Sequence, residues 1–370
     1  MPHSKQAMSN LDYFYLLKEL APQIEGARLD GAYDYFGGFR LRFRKEGMQY
    51  NLAIELGVRM HLTSRLPESP KEPSSFVKLL REELDNAVLE KITLINFDRI
   101  VSLRFSRGRT LIFEQLGKGN LLLLDETGKI IRPMRGEEFS SRKLRKQETY
   151  CPPPNEKVHP LQVNNLVFAK PQERAVAALS KTLNLAPFYL DEAVVRAGFS
   201  KIALASEIDA KSVLQICKQL LEQPISAVAY FDAEGAQAAF APFHLSKFEG
   251  EALVAKSFPT FCEALEEYYS GHFDKQMAGR DTAKVEEEKD SLQGALQQQK
   301  KALEKMILDE QEARLEGEWI YSNYALVEGI LLDAKEAFNR KVDEKQVSEL
   351  MSKKHGKKIT LKKNEVEIEA

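Results

Sequence analysis

The residues after Phe273 constrain the fold most strongly, because they contain no proline and only single, separated glycines such as Gly294 and Gly317. A stretch without helix breakers that is rich in Gln, Lys, Glu and Ala predicts one long α-helix. Its apolar residues recur mostly at spacings of three, four and seven, as a coiled-coil seam requires. The seam positions are Val285, Leu292, Leu296, Leu303, Met306, Ile320, Tyr324, Val327 and Leu331.

Such a helix needs a partner along its length. At about 1.5 Å per residue, roughly sixty residues would extend about 90 Å, and the apolar seam has to be covered by a second helix. No second helix follows, since the final residues, HGKKITLKKNEVEIEA, predict a small basic strand pair. We therefore expect that the returning half of the arm is missing from this chain.

The bulk composition is that of a globular protein with two or three folded units. The chain has 370 residues, of which 43% are hydrophobic and 29% charged, and its formal net charge is -2. This balance argues against a disordered or membrane protein and against a wholly basic nucleic-acid binder. A basic face on one module could still be offset by acidic residues on another, so charge has to be considered locally.

The three cysteines, Cys151, Cys217 and Cys262, form no CxxC pair and have no histidine at metal-ligand spacing. We therefore expect no metal site, and free thiols fit a reducing compartment. The start of the chain has no apolar signal core, and the longest apolar runs, such as residues 121–124, are too short to cross a bilayer. These features favour a cytoplasmic protein without a membrane contact.

The first half of the chain alternates between helix and strand signals. Ser9 and Asp12 are spaced as a capping box for a helix that we expect to end at Pro22. Alternating apolar residues over 28–63 predict a β-meander, and a second helix is predicted from about Ser75. Further strands are predicted over 88–95, 99–105, 110–115, 120–124 and 129–134.

The three prolines after Cys151 predict a connection between modules. Short helical units follow over 172–221, then two strands over 225–231 and 236–243, and a helix over 261–269. Because two strands alone are marginally stable in water, we expect these strands to return to the first sheet. The predicted fold class is α+β, with a discontinuous first domain.

The segment INFDRIVSLRFSRGRTLIFEQLGKGNLLLLD contains more cations than acids, and several alternate with apolar residues. One strand face could therefore belong to the core while the other presents cations, which would suit binding to phosphates. The simpler interpretation is that these are solvated strand positions. The candidate phosphate contacts are Arg104, Arg107, Arg109, Arg142, Lys143 and Arg145.

Asp98 and Arg99 are adjacent, so within a strand their side chains would point to opposite sides. At a strand end or turn both could reach one ligand, with the acid accepting from base amino groups and the arginine contacting phosphate, as in recognition of single-stranded RNA. The alternative is a strand-start aspartate beside a surface arginine. Gly117 and Gly119 permit close backbone approach around Lys118, although a plain hairpin turn explains the same spacing.

The order of IELGVRMHLTSR, PSSFVKLLREEL, FDRIVSLRF, FEQLGKGNLLLLD, FDAEG, PFHLSKF and FPTFCEALEEYY resembles the N-terminal part of NFACT proteins, of archaeal type, over residues 7–340. The resemblance implies a β-sandwich domain similar to formamidopyrimidine-type DNA glycosylases over 1–170, with strands completed by 224–272. It also implies a helix-hairpin-helix module over 171–223, a coiled-coil arm over 274–345 and the start of a small middle domain over 346–370. NFACT proteins normally continue into a second coiled-coil helix and an RNA-binding domain.

The resemblance further implies that Asp98 and Arg99 recruit tRNA, and that a second segment contacts the tRNA anticodon region. That segment maps onto Glu114, Gln115, Leu116, Gly117, Lys118 and Asn120. Lys118 replaces the arginine usual in bacterial members, and Gly119 shortens the turn. The helix-hairpin-helix segment LNLAPFYLDEAV has no glycine until Gly198, which favours protein packing over phosphate binding.

The function implied is that of a non-enzymatic quality-control factor without a cofactor. It would bind the large ribosomal subunit carrying a stalled peptidyl-tRNA, recruit tRNA for alanine-type tailing of the nascent chain, and in some organisms bring a ubiquitin ligase. The enzymatic alternative is a glycosylase with Pro2 as nucleophile, but His3 stands where those enzymes have a glutamate. An adhesin is a third alternative, and no secretion signal supports it.

Overall fold

A computed structural model describes residues 5–35, 37–66, 69–339, 343–362 and 365–369 of the protein. It divides into two compact units, Met1–Gln276 and Met277–Ala370. Both contain helices and antiparallel strands, so the predicted α+β class is confirmed. Among the described residues, no helix is both long and apolar enough to span a bilayer.

Helix α1 (Asn10–Ile24) begins with the predicted capping box. The Ser9 hydroxyl accepts from the Asp12 backbone nitrogen, and the Asp12 carboxylate accepts from the Ser9 backbone nitrogen, so two free donors of the first turn are satisfied. The predicted end at Pro22 is wrong, because the helix continues to Ile24. Proline in the last turn removes only one hydrogen bond near a helix end.

Four strands form the first antiparallel sheet in the order β1-β2-β3-β4. The predicted alternation is confirmed, since Leu41, Phe43, Leu52, Ile54 and Met60 are all buried. A ten-residue helix, α2, follows the sheet with its N-cap at Ser74. The bounds are β1 (Arg28–Tyr35), β2 (Gly38–Lys45), β3 (Met48–Glu55), β4 (Arg59–Leu62) and α2 (Ser75–Leu84).

Five strands form the second antiparallel sheet, in chain order. The rings of Phe43 and Phe105 stack 6.3 Å apart, so the two sheets share one core with α1. The sheets also meet through backbone hydrogen bonds from Leu29 to Ala87 and from Leu89 to Ala27. The bounds are β5 (Leu89–Leu94), β6 (Ile100–Phe105), β7 (Arg109–Glu114), β8 (Asn120–Leu124) and β9 (Ile130–Pro133).

The other face of this second sheet is not the cationic surface that alternation predicted. It carries a second apolar core, in which Leu144 packs with inward residues of the strands, such as Ile112 and Leu122. A short hairpin of β10 (Glu137–Glu138) and β11 (Lys143–Leu144) supplies Leu144. Because both faces are covered, β8 is buried along all five of its residues.

Three helices follow the proline run, α3 (Ala175–Thr182), α4 (Pro187–Arg196) and α5 (Ala210–Glu222). The next strands, β12 (Val228–Phe231) and β13 (Gln237–Ala241), were predicted to return to the first sheet, and this is wrong. They pair with β14 (Val254–Ser257) in a separate three-stranded sheet, because β14 occupies the free edge of β12. Their buried residues nevertheless belong to the same core as both earlier sheets.

Helix α6 runs from Phe261 to Ser322. Within its described part, the predicted seam residues Leu292, Leu296, Leu303 and Met306 are each more than half exposed, and the side chain of Val285 lies outside the described residues. Helix α7 (Tyr324–Asn339), α8 (Glu344–His355), β15 (Ile359–Lys362) and β16 (Glu365–Ile368) complete the second unit around a small core of their own.

Three glycines lock the turn between β7 and β8 against the turn between β3 and β4. A Cβ atom on Gly119 would lie 2.5 Å from the backbone nitrogen of Gly57, and one on Gly57 would lie 2.5 Å from the carbonyl oxygen of Gly117. The Gln115 side chain bridges the same turns, since its Oε1 accepts from the Gly57 nitrogen at 2.5 Å. The glycines therefore allow these two turns of the protein to pack closely against each other.

Gly119→Ala should lower the free energy of unfolding by at least about 2 kcal/mol, because the new Cβ would clash with Gly57 in a left-handed backbone conformation. Gly128→Ala is the matched control, since Gly128 has a φ of +80° but no atom within 4 Å of the added Cβ. It should cost about 1 kcal/mol. Denaturant unfolding measures both values, and equal losses would show that the contact with Gly57 contributes nothing.

Candidate nucleic-acid interface

The register of the second sheet brings the two predicted binding segments together. Ile100 pairs with Glu114, and Glu114 pairs with Asn120, so the starts of β6 and β8 and the end of β7 lie side by side. The carbonyl of Arg99 accepts a hydrogen bond from the Gln115 nitrogen at 2.7 Å. Residues 98–99 and 114–120 therefore meet at one end of this sheet.

A tight turn presents Asp98 and Arg99 at that end. The turn reverses the chain through Asn96 and Phe97, which have positive φ values of 52° and 51°. Asp98 Oδ1 accepts from the backbone nitrogen of Arg99 at 2.7 Å. Both side chains are half-buried, so neither is sealed in the hydrophobic interior.

Two asparagines hold this turn in place, and sequence reasoning missed both. Asn184 donates to the carbonyl oxygens of Asn96 and Phe97, each at 3.1 Å. Asn10 donates to the carbonyls of Asn184 and Phe97 at 2.9 and 3.2 Å. Asn10 and Asn184 are both buried. The sequence does contain one signal for this role, since Asn184 is an amide between two leucines at a helix break. An amide buried in such a place is usually part of a hydrogen-bond network.

Asp98 and Arg99 open onto a groove of about 550 Å³. The first residues of α1 and α4, Asn10 and Pro187, lie on its wall together with Leu116. Asn155 and Lys157, from the segment after the proline run, lie on it as well. Helix N-termini favour anions, and α4 has no side-chain cap whereas α1 is capped by Ser9 and Asp12, so the groove combines the partial positive charge of α4 with the charges of Arg99 and Lys157.

Tyr13 lies behind Arg99 in the core. Burial raises the pKa of the Tyr13 hydroxyl well above its ordinary value, while the charge of Arg99 acts in the opposite direction. The Tyr13 hydroxyl is buried and has no hydrogen-bond partner within the described part of the chain. The guanidinium of Arg99 thus acts electrostatically on the core while its side chain remains accessible from the groove.

Glu114, predicted to contact tRNA, is instead enclosed by the protein. Its carboxylate accepts hydrogen bonds from both terminal nitrogens of Arg142, one of them at 2.8 Å, and from the Tyr150 hydroxyl at 2.9 Å. The side chains of Glu114 and Arg142 are 4% and 8% exposed. Burial first, and then the Glu114 charge, raise the pKa of Tyr150. Burial lowers the pKa of Arg142, but the hydrogen bond to Glu114, its charge and Tyr150 together raise that pKa above its ordinary value.

Gln115 and Asn120 are also buried and used within the fold. Asn120 Oδ1 accepts from the nitrogens of Leu121 and Arg135, and its Nδ2 donates to the Arg135 carbonyl at 2.9 Å. The structure therefore does not offer Glu114, Gln115 or Asn120 for direct contact with a ligand. Their oxygen atoms accept hydrogen bonds from Arg142, Tyr150, Gly57 and Arg135, because an unpaired buried polar group is costly, and Gln115 Nε2 is the one side-chain polar atom of the three without a partner in the described part of the chain.

Leu116, Gly117 and Lys118 are the members of the second segment that remain accessible. Leu116 is half-buried on the groove wall, and Lys118 is exposed at the tip of the turn. The Lys118 carbonyl accepts from Arg135 at 2.8 Å, which fixes the backbone of the turn and leaves the side chain available. Lys157 is exposed too, and no sequence motif marked it.

The other predicted phosphate contacts do not join this site. Arg104 and Arg109 lie at the opposite end of β6 and β7, where they pair with carboxylates of Glu90 and Glu83. Arg107 is exposed in the turn between those strands. Arg142 is buried against Glu114, while Lys143 and Arg145 share the carboxylate of Glu138. These six candidates therefore form no common surface with Asp98 and Arg99, and most of them already have an acidic partner.

Two further sequence expectations concern chemistry. Pro2 and His3, the basis of the glycosylase alternative, lie outside the described residues. Within the described ranges, no three His, Cys, Asp or Glu side chains are grouped so that they could hold a metal ion. Cys217 and Cys262 are buried free thiols, and Cys151 is exposed.

Comparison with known proteins identifies relatives over most of the chain. The archaeal Rqc2 homologue aRqcH of Methanocaldococcus jannaschii is 29% identical over 365 residues, covering 90% of this chain and 52% of that protein. Ribosome quality control complex subunit 2 of Saccharomyces cerevisiae is 36% identical over 135 residues, 35% of this chain and 13% of that protein. The chain thus spans about half the length of the archaeal relative.

Among solved structures, the fibrinogen binding protein from Staphylococcus aureus has a TM-score of 0.57 at 17% identity, covering 70% of this chain and 98% of that one. This similarity shows a shared fold. The family model for NFACT N-terminal and middle domains matches residues 11–369. Because that match includes almost the whole chain, the protein belongs to the NFACT family, as its sequence motifs predicted.

Proposed function

We propose that this protein is a ribosome quality-control factor that recruits tRNA to the large ribosomal subunit carrying a stalled peptidyl-tRNA. The names of its relatives, an Rqc2 homologue and ribosome quality control complex subunits, support the ribosomal role. The observation that carries the tRNA part is the groove at the end of the second sheet, where Asp98 and Arg99 lie half-exposed beside two helix N-termini.

The groove suits an RNA strand for chemical reasons. Arg99 and Lys157 offer donors to phosphate oxygens, and the first turn of α4, which has no side-chain cap, favours the same negative charge. Among the described residues, Asp98 Oδ2 has one long contact, 3.4 Å from Asn155, so it is available to accept from a base amino group or a ribose hydroxyl. Lys118, at the accessible tip of the neighbouring turn, adds a further cation.

In this proposal Glu114, Gln115 and Asn120 position the site and do not touch RNA. The Glu114–Arg142–Tyr150 cluster fixes the end of β7, and Gln115 fixes the Leu116–Gly119 turn on Gly57. Buried side chains that are held by hydrogen bonds keep a binding surface rigid, which reduces the entropy lost on binding. Leu116 and Lys118 would then make the contacts that we predicted for the whole segment.

The protein would supply position, and peptide-bond chemistry in alanine-type tailing would remain with the ribosome. We therefore propose a cytoplasmic, non-enzymatic factor that needs no cofactor. The exposed apolar residues of α6 support a coiled-coil role for this helix, and a ubiquitin ligase is a possible class of partner for such an arm. Helices α3 to α5 form the proposed helix-hairpin-helix module, whose buried Leu179, Tyr189 and Val213 favour packing.

Asp98→Asn combined with Arg99→Gln should weaken tRNA binding about tenfold or more, because two charge-assisted contacts are lost while the net charge stays the same. Fluorescence anisotropy with labelled tRNA measures this. Thermal unfolding should be unchanged, since an asparagine at position 98 can still accept from the backbone nitrogen of Arg99.

The matched control is Glu90→Gln with Arg104→Gln, which removes an exposed ion pair at the far end of β6. This variant should bind tRNA like the unaltered protein. Equal weakening in both double variants, or a loss of binding that follows a lower melting temperature, would contradict the proposed role of Asp98 and Arg99.

Lys118→Glu should reduce tRNA affinity by about fivefold or more, and Lys118→Gln by less, because the first reverses and the second only removes a charge near phosphates. Neither should alter stability, since the fold uses only the Lys118 carbonyl. Lys170→Glu, at another exposed lysine outside the groove, controls for net charge. If Lys118→Glu and Lys170→Glu weaken binding equally, the effect is general electrostatics and Lys118 is no contact.

Glu114→Gln should destabilise the protein by about 3 kcal/mol, because it leaves the Arg142 charge buried without its partner. Urea unfolding measures this loss. The fraction that remains folded should lose less tRNA affinity than the variant Asp98→Asn with Arg99→Gln, because Glu114 acts on binding only by positioning the site. Glu138→Gln, in an exposed ion-pair cluster, should change stability little. A strong loss of tRNA affinity without destabilisation would instead show that Glu114 contacts the RNA directly.

A further inference from the structure

A second cationic surface lies on the first sheet, well separated in sequence from the groove. Strand β2 alternates inward Phe39, Leu41 and Phe43 with outward arginines. The outward residues Arg40 and Arg42 surround Tyr33 of β1 together with Arg81 of α2, and Arg44 continues the outward row along β2. We name these four arginines the arginine face. Side chains on one side of a strand repeat about every 6.6 Å, so three of the charges form a regular row.

Three of these guanidinium groups crowd one aromatic ring. The guanidinium carbons of Arg40, Arg42 and Arg81 lie 4.1, 5.1 and 5.2 Å from the centre of the Tyr33 ring. Two of these guanidinium groups also donate hydrogen bonds to neutral oxygens: Arg40 donates to Asn51 Oδ1 at 2.8 Å, and Arg81 donates to the Ala32 carbonyl at 2.8 Å. These hydrogen bonds and the cation–π attraction to Tyr33 hold both side chains in place.

Acidic residues compensate this charge only partly. Asp30 is the one carboxylate paired with the arginine face among the described residues, and it is shared by Arg42 at 3.0 Å and Arg44 at 3.1 Å. The nearby Asp34 carboxylate instead accepts from the backbone and hydroxyl of Ser74, at the start of α2. Four guanidinium groups therefore face one carboxylate, in contrast to the paired cations Arg104, Lys143 and Arg145.

The surroundings leave this part of the sheet open. At the β4 end, the same outward side is covered by α6, whose Glu266 accepts from His61 at 3.1 Å. Arg40 pairs with Ala53 across the sheet, and Ala53 pairs with His61. The position of Arg40 and the position of His61, which α6 covers, therefore lie on the same side of the sheet. Arg44 keeps a side-chain exposure of 61%, and Arg81 is also exposed.

We propose that the arginine face binds the phosphate backbone of RNA without sequence preference, as a contact separate from the tRNA groove. Like charges held this close favour a polyanionic partner, and a regular row of guanidinium groups matches a polymer with regularly repeated phosphates. The Tyr33 ring is already covered by arginines, so it cannot stack on a base, and the surface therefore contacts backbone and not base edges. This inference is independent of the proposed role of Asp98 and Arg99.

The test variant combines Arg42→Gln, Arg44→Gln and Arg81→Gln and leaves the buried Arg40 in place. Its binding to a short RNA duplex should be about tenfold weaker than that of the unaltered chain near physiological salt, and equally so for a duplex of scrambled sequence. The slope of log affinity against log salt should fall by roughly 2 to 3, about one unit for each lost phosphate contact.

The matched control combines Arg104→Gln, Lys143→Gln and Arg145→Gln, which removes the same number of charges from three cations that are paired with two carboxylates, whereas Arg42, Arg44 and Arg81 are paired with one among the described residues. It should change the duplex affinity and the salt slope much less. Asp30→Asn should act in the opposite direction, with tighter duplex binding and a steeper slope, because it removes the carboxylate shared by Arg42 and Arg44. Melting temperatures of all variants exclude misfolding as the cause.

The variant Asp98→Asn with Arg99→Gln separates this proposal from the tRNA groove, since it should retain duplex binding and its salt dependence. Equal effects of the two triple variants would overturn the arginine face as an RNA contact. The proposal would also be overturned if the arginine variant lost binding to phosphatidylcholine vesicles containing phosphatidylserine while duplex binding stayed unchanged, because the partner would then be a lipid surface.

Discussion

The antiparallel register of β6, β7 and β8 is the constraint on which the candidate site depends. It aligns Ile100, Glu114 and Asn120 across three strands, so two segments that are separated in the sequence end at one edge of the sheet. A slip of one residue would turn Glu114 away from Arg142 and leave a buried charge without a partner, which costs several kcal/mol. The Glu114–Arg142 pair thus helps to specify the register that builds the groove.

The walls of the groove are held by contacts that reach across the first unit. Lys5 Nζ is buried against the Asp12 carboxylate at 2.8 Å and the Tyr189 hydroxyl at 3.1 Å, which joins the start of α1 to α4. Burial lowers the pKa of Lys5 to about 8, although the Asp12 charge opposes the shift. Because both helix N-termini line the groove, this internal pair fixes the spacing between them. Rigid walls of this kind suit a partner that is itself structured.

Periodicity predicted the secondary structure well, because inward residues such as Leu41, Phe43 and Leu52 alternate with polar neighbours on half-buried strands. The same reasoning failed for the second sheet, where β8 is apolar throughout and both faces are covered. The sequence contains no local sign of the small hairpin that brings Leu144 over that sheet. Nor could it show that β14 would complete a separate sheet with β12, since strand pairing depends on contacts between distant segments.

The candidate site was predicted in position but not in detail. Spacing and family resemblance located Asp98, Arg99 and Lys118, all of which are accessible, yet could not show that Glu114 is enclosed by Arg142 and Tyr150. Ion pairing also explains why a count of cations was misleading. The net charge of -2 does not show that Arg104, Arg109 and Arg145 are each paired with an acid, whereas the four arginines of the arginine face have one carboxylate among the described residues, that of Asp30 beside Arg42 and Arg44. A binding arginine differs from a structural one in how far neighbouring carboxylates neutralise its charge, and only the folded chain reveals those neighbours.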